Sequence, residues 1–397
     1  MRKIVIASVL HSDNLGDCVI ATCFRYLIEK MFPNVQIVEL DLGGRTSVQD
    51  NDRIVRRLLR WIYFRLPKFI RPLVPLTVWI AGGRRALSRI WKDQIYDADL
   101  IVIAGGQIFA DNSLNFPLKT YTLSQLASRL QIPIAFNACG AVGQWSKIGK
   151  AKFASVLINH NTVSISTRDD ASRDYLYSQL PALNDTGVEV IPDPGVWSNI
   201  LSNDYCSLIR GYVGLCVVAP REVVDQTDKY SIPQLYSFWL DLVRTLTRQN
   251  VPTAIFTNGN SDDFGFANDL YQQLRRETCR LKGRSLTICD RPENIERLVT
   301  FIRSFRLVVT QRLHALVVAF SCGVPAVPVC WNGKLLAFSN YAHLPVLPQV
   351  GELPSIESVT KIALSPKTAQ PHEKRLEEMQ KQAKQHIFEV INSVMED

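Results

Sequence analysis

Short apolar runs rich in β-branched residues alternate along the chain with longer segments of helical periodicity. A run of this kind is typical of a parallel strand that is buried on both faces, since such a strand carries few polar residues. The alternation therefore predicts an α/β fold with parallel sheets and helices on both faces. The predicted strands are 3–9, 35–40, 99–104, 132–137, 163–166, 188–191, 212–218, 253–257, 307–309 and 326–330.

Helical segments fill the intervals between these strands. A chain of 397 residues exceeds one ordinary core, so we predict two domains, at 1–200 and 201–370, followed by a charged amphipathic helical segment at 371–397. The predicted helices lie at about 18–31, 232–249, 263–277, 294–304, 315–320 and 373–395.

The composition is that of a globular protein, with 47% apolar and 21% charged residues. No run of about 18 uninterrupted apolar residues is present, so no membrane-spanning helix is predicted. The first ten residues pass directly into a strand pattern without a signal-peptide cleavage site. Nine scattered cysteines without a C-x-x-C pair favour buried thiols over disulfides or a zinc site. We therefore expect a cytoplasmic protein.

Positive charge is concentrated in one segment. The net charge is +8, yet residues 53–92 contain eleven Lys or Arg and no Asp or Glu, so the rest of the chain carries 8 − 11 = −3. Aromatic side chains are interleaved with these arginines. The pattern fits a membrane patch that binds anionic headgroups, and it equally fits a helical insert over a ligand cleft whose arginines are solvated or attract an anionic substrate. No nucleic-acid-binding signature is present, so nucleic acid is not expected as a partner.

The most informative stretch runs from Leu307 to Phe338. Its polar residues, Thr310 to His314, lie where a predicted strand gives way to an apolar helix, and Lys334 follows the next strand. Ligands of open α/β sheets bind at the carboxyl ends of the strands. A helix N-terminus at this edge offers N–H groups and the positive end of the helix dipole. The stretch therefore predicts a site for a small, highly charged anion.

This stretch also resembles the C-terminal signature of the polysaccharide pyruvyl transferase family. The resemblance rests on Arg312-Leu313-His314, the apolar helix that follows, Gly-Val-Pro at 323–325 and a lysine, Lys334, after the next strand. The combination is more specific than an isolated Arg-x-His would be.

Two further motifs resemble elements of the same family, and two positions depart from it. Asn-x-Gly-Asp at 14–17 resembles the N-terminal motif, and Arg-Asp-x-x-Ser at 168–172 resembles the element whose arginine reaches the donor. Gln107 stands where the family usually has a third glycine. The loop 138–143 lacks the family's Gly-Pro pairing, which puts contacts from this loop in doubt.

The resemblance implies a glycosyltransferase-B-like fold with two Rossmann-like domains facing a cleft and the helix at 371–397 packing back on the N-terminal domain. It implies transfer of a pyruvyl group from phosphoenolpyruvate, as a ketal, to a sugar of a cell-surface polysaccharide or its lipid-linked precursor. No cofactor or metal is required. If the segment 53–92 binds headgroups, the enzyme would act at the inner face of the cytoplasmic membrane.

The resemblance also assigns roles to individual residues. His314 is the candidate general acid, because an imidazole titrates near working pH, and Asp17 is a candidate base or acceptor contact. Four residues are expected to bind the donor: Arg168, Arg312, Leu313 and Lys334. Six more are candidates for substrate binding: Asn14, Gly16, Gly105, Gly106, Asn258 and Gly259.

Each of these assignments has a local alternative. Asp17 would cap the following helix, Arg168 would pair with the aspartates beside it, and His314 would hydrogen-bond within its own helix start. The adjacent Asp262 and Asp263 could be read as a metal site, but we interpret them as a solvated pair in a loop.

Two other functions remain open at this stage. A nucleotide-sugar-dependent glycosyltransferase of the same architecture would also place basic residues at the donor, and would need an acidic residue for the ribose and a slot for the base. A membrane-surface scaffold without catalysis would explain the departures at Gln107 and 138–143. The sequence specifies neither the acceptor sugar nor an oligomeric state.

Overall fold

A computed structural model of the chain gives the fold. It describes residues 2–45, 66, 71, 73–111, 113–278, 286–344, 352–366 and 373–396, so most of the first half of the basic segment 53–92 lies outside the described residues. The chain forms two compact units. Unit 1 comprises Met1–Ser12, Ile20–Pro194 and Lys381–Asp397, and unit 2 comprises Asp13–Val19 and Gly195–Gln380.

Unit 1 is built around parallel strands, as the apolar runs predict. Its described strands are β1 (Lys3–Ser8), β2 (Gln36–Asp41), β3 (Leu100–Ala104), β4 (Phe109–Ala110), β5 (Ile134–Cys139), β6 (Ala141–Val142), β7 (Thr162–Thr167) and β8 (Glu189–Val190). Six of them form one sheet in the order β2-β1-β3-β5-β7-β8, and β4 pairs with β6 in a short parallel ladder. The order places β3 beside both β1 and β5, where Val102 pairs with Ile6 and with Ala135.

Helices cover this sheet and bury its side chains. Alternate residues such as Val5, Ile103 and Phe136 join one core cluster. Trp91 closes this core, with no exposed surface and its Nε1 donating to the carbonyl of Asp41 at 3.1 Å. The helices are α1 (Leu15–Met31), α2 (Leu73–Val78), α3 (Arg84–Ile95), α4 (Asn115–Arg129), α5 (Lys147–Leu157) and α6 (Asp170–Gln179), with a π-helical turn at Trp79–Gly83 and short 3₁₀ turns at Pro181–Asn184 and, at the junction with unit 2, Pro194–Ile200.

Unit 2 holds a second parallel sheet. Its strands are β9 (Val213–Cys216), β10 (Thr253–Phe256), β11 (Leu286–Ile288), β12 (Leu307–Thr310) and β13 (Ala326–Pro328), in the order β11-β10-β9-β12-β13. Cys216 pairs with Phe256 on one side and with Thr310 on the other. Three strands therefore end at the same level, and the residues that follow them lie close together.

The helices of unit 2 alternate with these strands. Helix α8 begins with a capping box in which Ser231 and Gln234 satisfy each other's backbone N–H groups. The described helices are α7 (Pro220–Gln226), α8 (Ile232–Arg248), α9 (Ser261–Thr278), α10 (Ile295–Ser304), α11 (Leu313–Ser321), α12 (Gly333–Tyr341) and α13 (Ile356–Leu364), with a 3₁₀ turn at Ser207–Ile209. The predicted α/β class with parallel sheets is confirmed.

The last helix, α14 (Glu373–Met395), has the bounds that the sequence predicts. Its second part belongs to unit 1, where the ring of Phe388 stacks on that of Phe32 with centroids 5.6 Å apart. Arg2 donates to the carbonyl of Met395 at 2.8 Å. Both ends of the chain are therefore part of one unit.

Two helix starts differ from the predictions. Helix α1 begins at Leu15 instead of residue 18, where the Asn14 side chain accepts from Gly16 N at 3.4 Å. Helix α11 begins at Leu313 instead of residue 315, so His314 lies in its first turn. The eight described cysteines are free thiols, five of them buried. Among the described helices, none is both long and apolar enough to cross a membrane.

Candidate functional site

Arg312 lies at the junction of β12 and α11. It is the residue before the first turn of α11 and has an extended backbone, with φ −102° and ψ 125°. Thr310 fixes this conformation, because its hydroxyl accepts from Arg312 N at 2.9 Å and lies 3.0 Å from Arg312 O, to which it donates. The side chain of Arg312, the N-cap residue, makes no capping hydrogen bond to α11. The anion site that the sequence predicts at this helix start stays a prediction.

The guanidinium of Arg312 is held by two carboxylates. Its Nη1 and Nη2 donate to the two oxygens of Glu222 at 2.8 and 2.6 Å. Its Nε donates to Asp263 at 2.9 Å, and Nη2 also contacts Asp263. Burial opposes the charge of Arg312, but the two carboxylates raise its pKa above the ordinary value. Arg312 is therefore the centre of an ion triad.

Asp263 corrects one interpretation from the sequence. It was expected to be solvated with Asp262, but it lies in the first turn of α9, has no exposed surface, and accepts from Ala219 N at 2.8 Å. Burial raises the pKa of Asp263 to about 6, although Arg312 favours its charged form. No group of three or more potential metal ligands occurs in the part of the chain that the structure describes.

The triad depends on the strand order of unit 2. Glu222, Asp263 and Arg312 follow β9, β10 and β12, which are adjacent and end at one level. Sequence reasoning missed Glu222 because it is 90 residues from Arg312. The available signal was a carboxylate shortly after a predicted strand, which is a common pattern in α/β proteins.

His314 lies beside the N-terminal motif. Its Nδ1 is 4.0 Å from a carboxylate oxygen of Asp17, and the residue is 8% exposed. A Cβ at Gly16 would overlap the imidazole and come within 2.5 Å of His314 Cβ. Glycine at position 16 is therefore required for this packing. The structure thus brings together two motifs that lie about 300 residues apart in the sequence.

The end of β10 holds the N-terminal motif in this place. Leu15 N donates to the carbonyl of Asn258 at 2.9 Å. Gly259 has φ +98°, and a Cβ there would meet the carbonyl of Asp13 at 2.9 Å. Arg291 donates to the carbonyl of Gly259. These contacts explain why residues 13–19, although far away in sequence, belong to unit 2.

Two buried amides add hydrogen-bond donors to this region. Gln311 is 2% exposed, and its Oε1 accepts from Trp239 Nε1 at 3.1 Å and from Val218 N at 3.2 Å. Asn258 is fully buried. Within the described residues, neither Gln311 Nε2 nor Asn258 Nδ2 has a hydrogen-bond partner.

Arg168 lies in unit 1, directly after β7. Its guanidinium lies against Gly140, where a Cβ would come 2.6 Å from Cζ, and its Nε is 3.2 Å from Asp169. Asp169 caps α6 by accepting from Ser172 N at 2.7 Å. The predicted arginine, aspartate and serine arrangement is present, and so is the local pairing of Arg168 with Asp169. The loop 138–143, despite its departure from the family, contacts Arg168.

Gly105 and Gly106 form the turn after β3. Both have positive φ, +55° and +72°, and a Cβ at Gly105 would overlap Ile20. A Cβ at Gly106 would meet open space. Gly140 N donates to the carbonyl of Gly106 at 2.7 Å, which joins this turn to the loop beneath Arg168. Gln107 therefore leaves the tight turn intact.

The remaining predicted donor residues lie near the triad in sequence. Leu313 is 9% exposed and begins α11. Lys334 lies in the first turn of α12, which Asn332 caps by accepting from Leu335 N at 3.4 Å. In total, unit 2 holds Asn14, Gly16, Asp17, Asn258, Gly259, Arg312, Leu313, His314 and Lys334, and unit 1 holds Gly105, Gly106 and Arg168.

The chain matches a known protein family. A family model described as polysaccharide pyruvyl transferase matches residues 14–333, which include all the candidate residues except Lys334. Among curated proteins, none matches the chain significantly.

Several solved structures share the fold at low sequence identity. UDP-GlcNAc 2-epimerase from Neisseria meningitidis bound to UDP-GlcNAc has a TM-score of 0.58 at 12% identity, over 99% of this chain and 100% of that one. The enzyme from Methanocaldococcus jannaschii in complex with UDP-GlcNAc and UDP has a TM-score of 0.51 at 11% identity, over 99% and 100%. Trehalose-6-phosphate synthase OtsA has 0.59 at 10% identity, over 100% and 99%. These similarities confirm the glycosyltransferase-B-like fold of two Rossmann-like domains.

Proposed function

The chain belongs to the polysaccharide pyruvyl transferase family, and on this basis we propose that it transfers a pyruvyl group from phosphoenolpyruvate to a saccharide, as a ketal. The observation that carries the proposal is the packing of His314 against Gly16 and Asp17, beside Arg312 at the start of α11. Two motifs of the family thus meet at one place. The acceptor would be a sugar of a cell-surface polysaccharide or of its lipid-linked precursor.

The donor requires cations and oriented N–H groups, because phosphoenolpyruvate carries a carboxylate and a phosphate on three carbons. In unit 2, Arg312, Lys334 and the backbone N–H groups at the start of α11 would supply them. Leu313 would contribute its backbone at the start of the helix. The donor-binding role of Arg168, in unit 1, rests on its motif alone and stays a prediction from the sequence. The proposal includes no cofactor.

The chemistry requires a proton at C3 of the donor and the removal of protons from two sugar hydroxyls. His314 would protonate C3, which becomes the methyl group. One sugar hydroxyl then bonds to C2, with Asp17 as the proton acceptor, and a second hydroxyl bonds to C2 as the C–O bond to phosphate breaks. One hydroxyl proton returns to His314, where it replaces the proton given to C3. The other hydroxyl proton leaves with inorganic phosphate. Asp17, 4.0 Å from Nδ1, would also orient the imidazolium.

The donor is tested by ligand-dependent thermal stability. A ligand at 100 times its Kd stabilises the folded state by about 2.7 kcal/mol, which is readily measured. We expect phosphoenolpyruvate to raise Tm, and Arg312→Lys, which keeps the charge but not the fork of donors, to reduce this shift. His314→Gln is expected to retain donor binding and to abolish phosphate release in the presence of a saccharide acceptor. No shift with phosphoenolpyruvate would refute the proposal.

A nucleotide-sugar glycosyltransferase is the second candidate. It is favoured by one observation, which is that the solved structures with this fold include enzymes bound to UDP-GlcNAc or UDP. Stabilisation by UDP- or GDP-sugars in the same experiment, without an effect of phosphoenolpyruvate, would establish this alternative.

Part of the basic segment exposes apolar and basic side chains. Leu73, Val78 and Ile80 are 54%, 57% and 68% exposed, and Arg85 and Arg89 on α3 are also exposed. Apolar side chains of this kind enter the headgroup boundary while arginines bind anionic lipid. We propose peripheral contact with the inner face of the cytoplasmic membrane, where a lipid-linked acceptor would be found.

Vesicle sedimentation tests this contact. The protein should bind vesicles that contain anionic lipid and dissociate from them at high salt. It should not bind neutral vesicles. Ile80→Ser should weaken binding. Leu208→Ser, at an 82% exposed apolar position of unit 2, is the matched control and should not. Equal binding of both variants would exclude a membrane role for the segment.

A further inference from the structure

The hydrogen-bonding capacity of Arg312 is nearly filled by the protein itself. A guanidinium has five N–H groups. Four of those of Arg312 are directed at Glu222 and Asp263. An anionic ligand can therefore contact Arg312 by a single Nη1 hydrogen, or by replacing one of the two carboxylates.

The net charge of the triad makes replacement the favourable route. One guanidinium and two carboxylates sum to one negative charge when all are ionised. A donor that carries a carboxylate and a phosphate would be repelled by this charge if the triad stayed intact. The departure of one carboxylate leaves a neutral pair and frees two donors.

Glu222 is the carboxylate that can leave. Asp263 is fully buried and also accepts from Ala219 N, so its displacement would leave a backbone donor unpaired. The Glu222 side chain is 32% exposed and lies on the seven-residue helix α7. Within the described residues, the hydrogen bonds of the Glu222 carboxylate are made with Arg312. Turning Glu222 towards solvent therefore breaks only the bonds that a ligand would replace.

The Glu222 carboxylate contacts Arg312 in the geometry that a bound anion would adopt. Both oxygens of Glu222 face the two terminal nitrogens of Arg312, which is the bidentate arrangement that arginine makes with carboxylates and phosphates. We propose that Glu222 is a specificity-determining residue that occupies the anion position on Arg312 and is displaced by the donor. The inference rests on the proposed function, in which Arg312 binds an anionic donor.

Displacement would select the donor by its charge. A monocarboxylate such as pyruvate replaces one carboxylate by another and gains little. Phosphoenolpyruvate brings additional negative charge and further contacts, so it can displace Glu222. The free protein would then discriminate against the small carboxylates that lack a phosphate.

Binding measurements on a charge-neutral variant test the proposal. We expect Glu222→Gln to bind phosphoenolpyruvate about tenfold more tightly than the unchanged protein, because the competing charged contact is lost. Its preference for phosphoenolpyruvate over pyruvate should fall. Asp225→Asn removes the same charge from an exposed position of the same helix and should leave both affinities unchanged. Titration calorimetry gives the affinities, and Tm without ligand shows that each variant is folded.

The outcomes separate the inference from the proposed function. The inference is wrong if the unchanged protein binds phosphoenolpyruvate and Glu222→Gln binds it equally or more weakly. In that case Glu222 only holds the Arg312 side chain in place. If no folded variant binds phosphoenolpyruvate, both ideas fail. Glu222→Asp, which keeps the charge but is one methylene shorter, provides the same comparison if Glu222→Gln does not fold, and it should also bind the donor more tightly.

Discussion

Gly16 lies against the imidazole of His314 so closely that no side chain fits between them. The glycine therefore sets the position of the histidine. Its role differs from that of Gly105 and Gly106, which are needed for their positive φ angles.

We expect Gly16→Ala to lower kcat by about 100-fold, since a displacement of about 1 Å in a catalytic group can have this effect. The overlap should also cost about 1–3 kcal/mol of stability. Steady-state kinetics and urea denaturation measure the two effects.

Gly265→Ala is the matched control, because a Cβ at this position of α9 meets no atom within 4 Å. It should keep full activity and gain up to about 1 kcal/mol from improved helix propensity. Wild-type kcat in Gly16→Ala would show that Gly16 does not position His314.

Removal of Arg312 should destabilise the protein. Arg312→Met leaves Asp263 buried without its cation, and breaking a buried pair in this way typically costs about 3–5 kcal/mol. Adding Asp263→Asn should restore part of this stability, because the amide keeps an acceptor for Ala219 N without a charge. Urea denaturation of the single and double variants measures the recovery. A double variant that is less stable than Arg312→Met would contradict the assignment of Asp263 as the uncompensated charge.

The raised pKa of Asp263 predicts a pH dependence of stability. Its ordinary value is 3.8 and its value in the folded protein is about 6, so between these pH values the folded state binds more protons than the unfolded state. This group therefore contributes stability at low pH that is lost as the pH rises through about 6, by up to about 3 kcal/mol.

Asp263→Asn lacks this titration. The free energy of unfolding of the variant should therefore rise relative to that of the unchanged protein between pH 4 and pH 7. The expected rise is on the order of 1 kcal/mol for each pH unit. Denaturation curves at several pH values provide the measurement. A constant difference across this range would argue against a raised pKa.

The titration of His386 should have the opposite effect on the pH dependence of stability. His386 is 2% exposed, and burial lowers its pKa below 6.5 although Glu189, 3.4 Å away, opposes this. Below pH 6.5 the unfolded state then binds the extra proton, so stability falls as the pH falls. His386→Gln should therefore flatten the acid limb of a Tm profile, and an unchanged acid limb would contradict the lowered pKa.

Local signals made much of unit 2 predictable from the sequence. The apolar run at Leu307–Thr310, the polar residues after it and the apolar helix with Gly323 beyond it are all read within about 20 residues. The same holds for α14, whose bounds were predicted correctly. Helix starts were less accurate because the helices that follow Asn14 and Arg312 begin before the apolar periodicity is apparent.

Long-range partners were not predictable in this way. The pairing of Arg312 with Glu222 and Asp263 requires the knowledge that β9 lies between β10 and β12, which no local pattern contains. The same applies to residues 13–17, which follow β1 of unit 1 but bind to the end of β10. The sequence shows which residues are able to bind an anion or transfer a proton. The strand order decides which residues they contact.

The division of α14 has a consequence for synthesis on the ribosome. Unit 1 needs residues 381–396, which emerge only after Gly195–Gln380 of unit 2 have been made. At about 5–20 residues per second, those 186 residues take roughly 10–40 seconds. During this interval the surface around Phe32 lacks the Phe388 ring that covers it in the finished fold. The unit that is begun first is therefore the last to be completed, and a nascent chain stalled before residue 381 would present an incomplete unit 1 to the cell's chaperones.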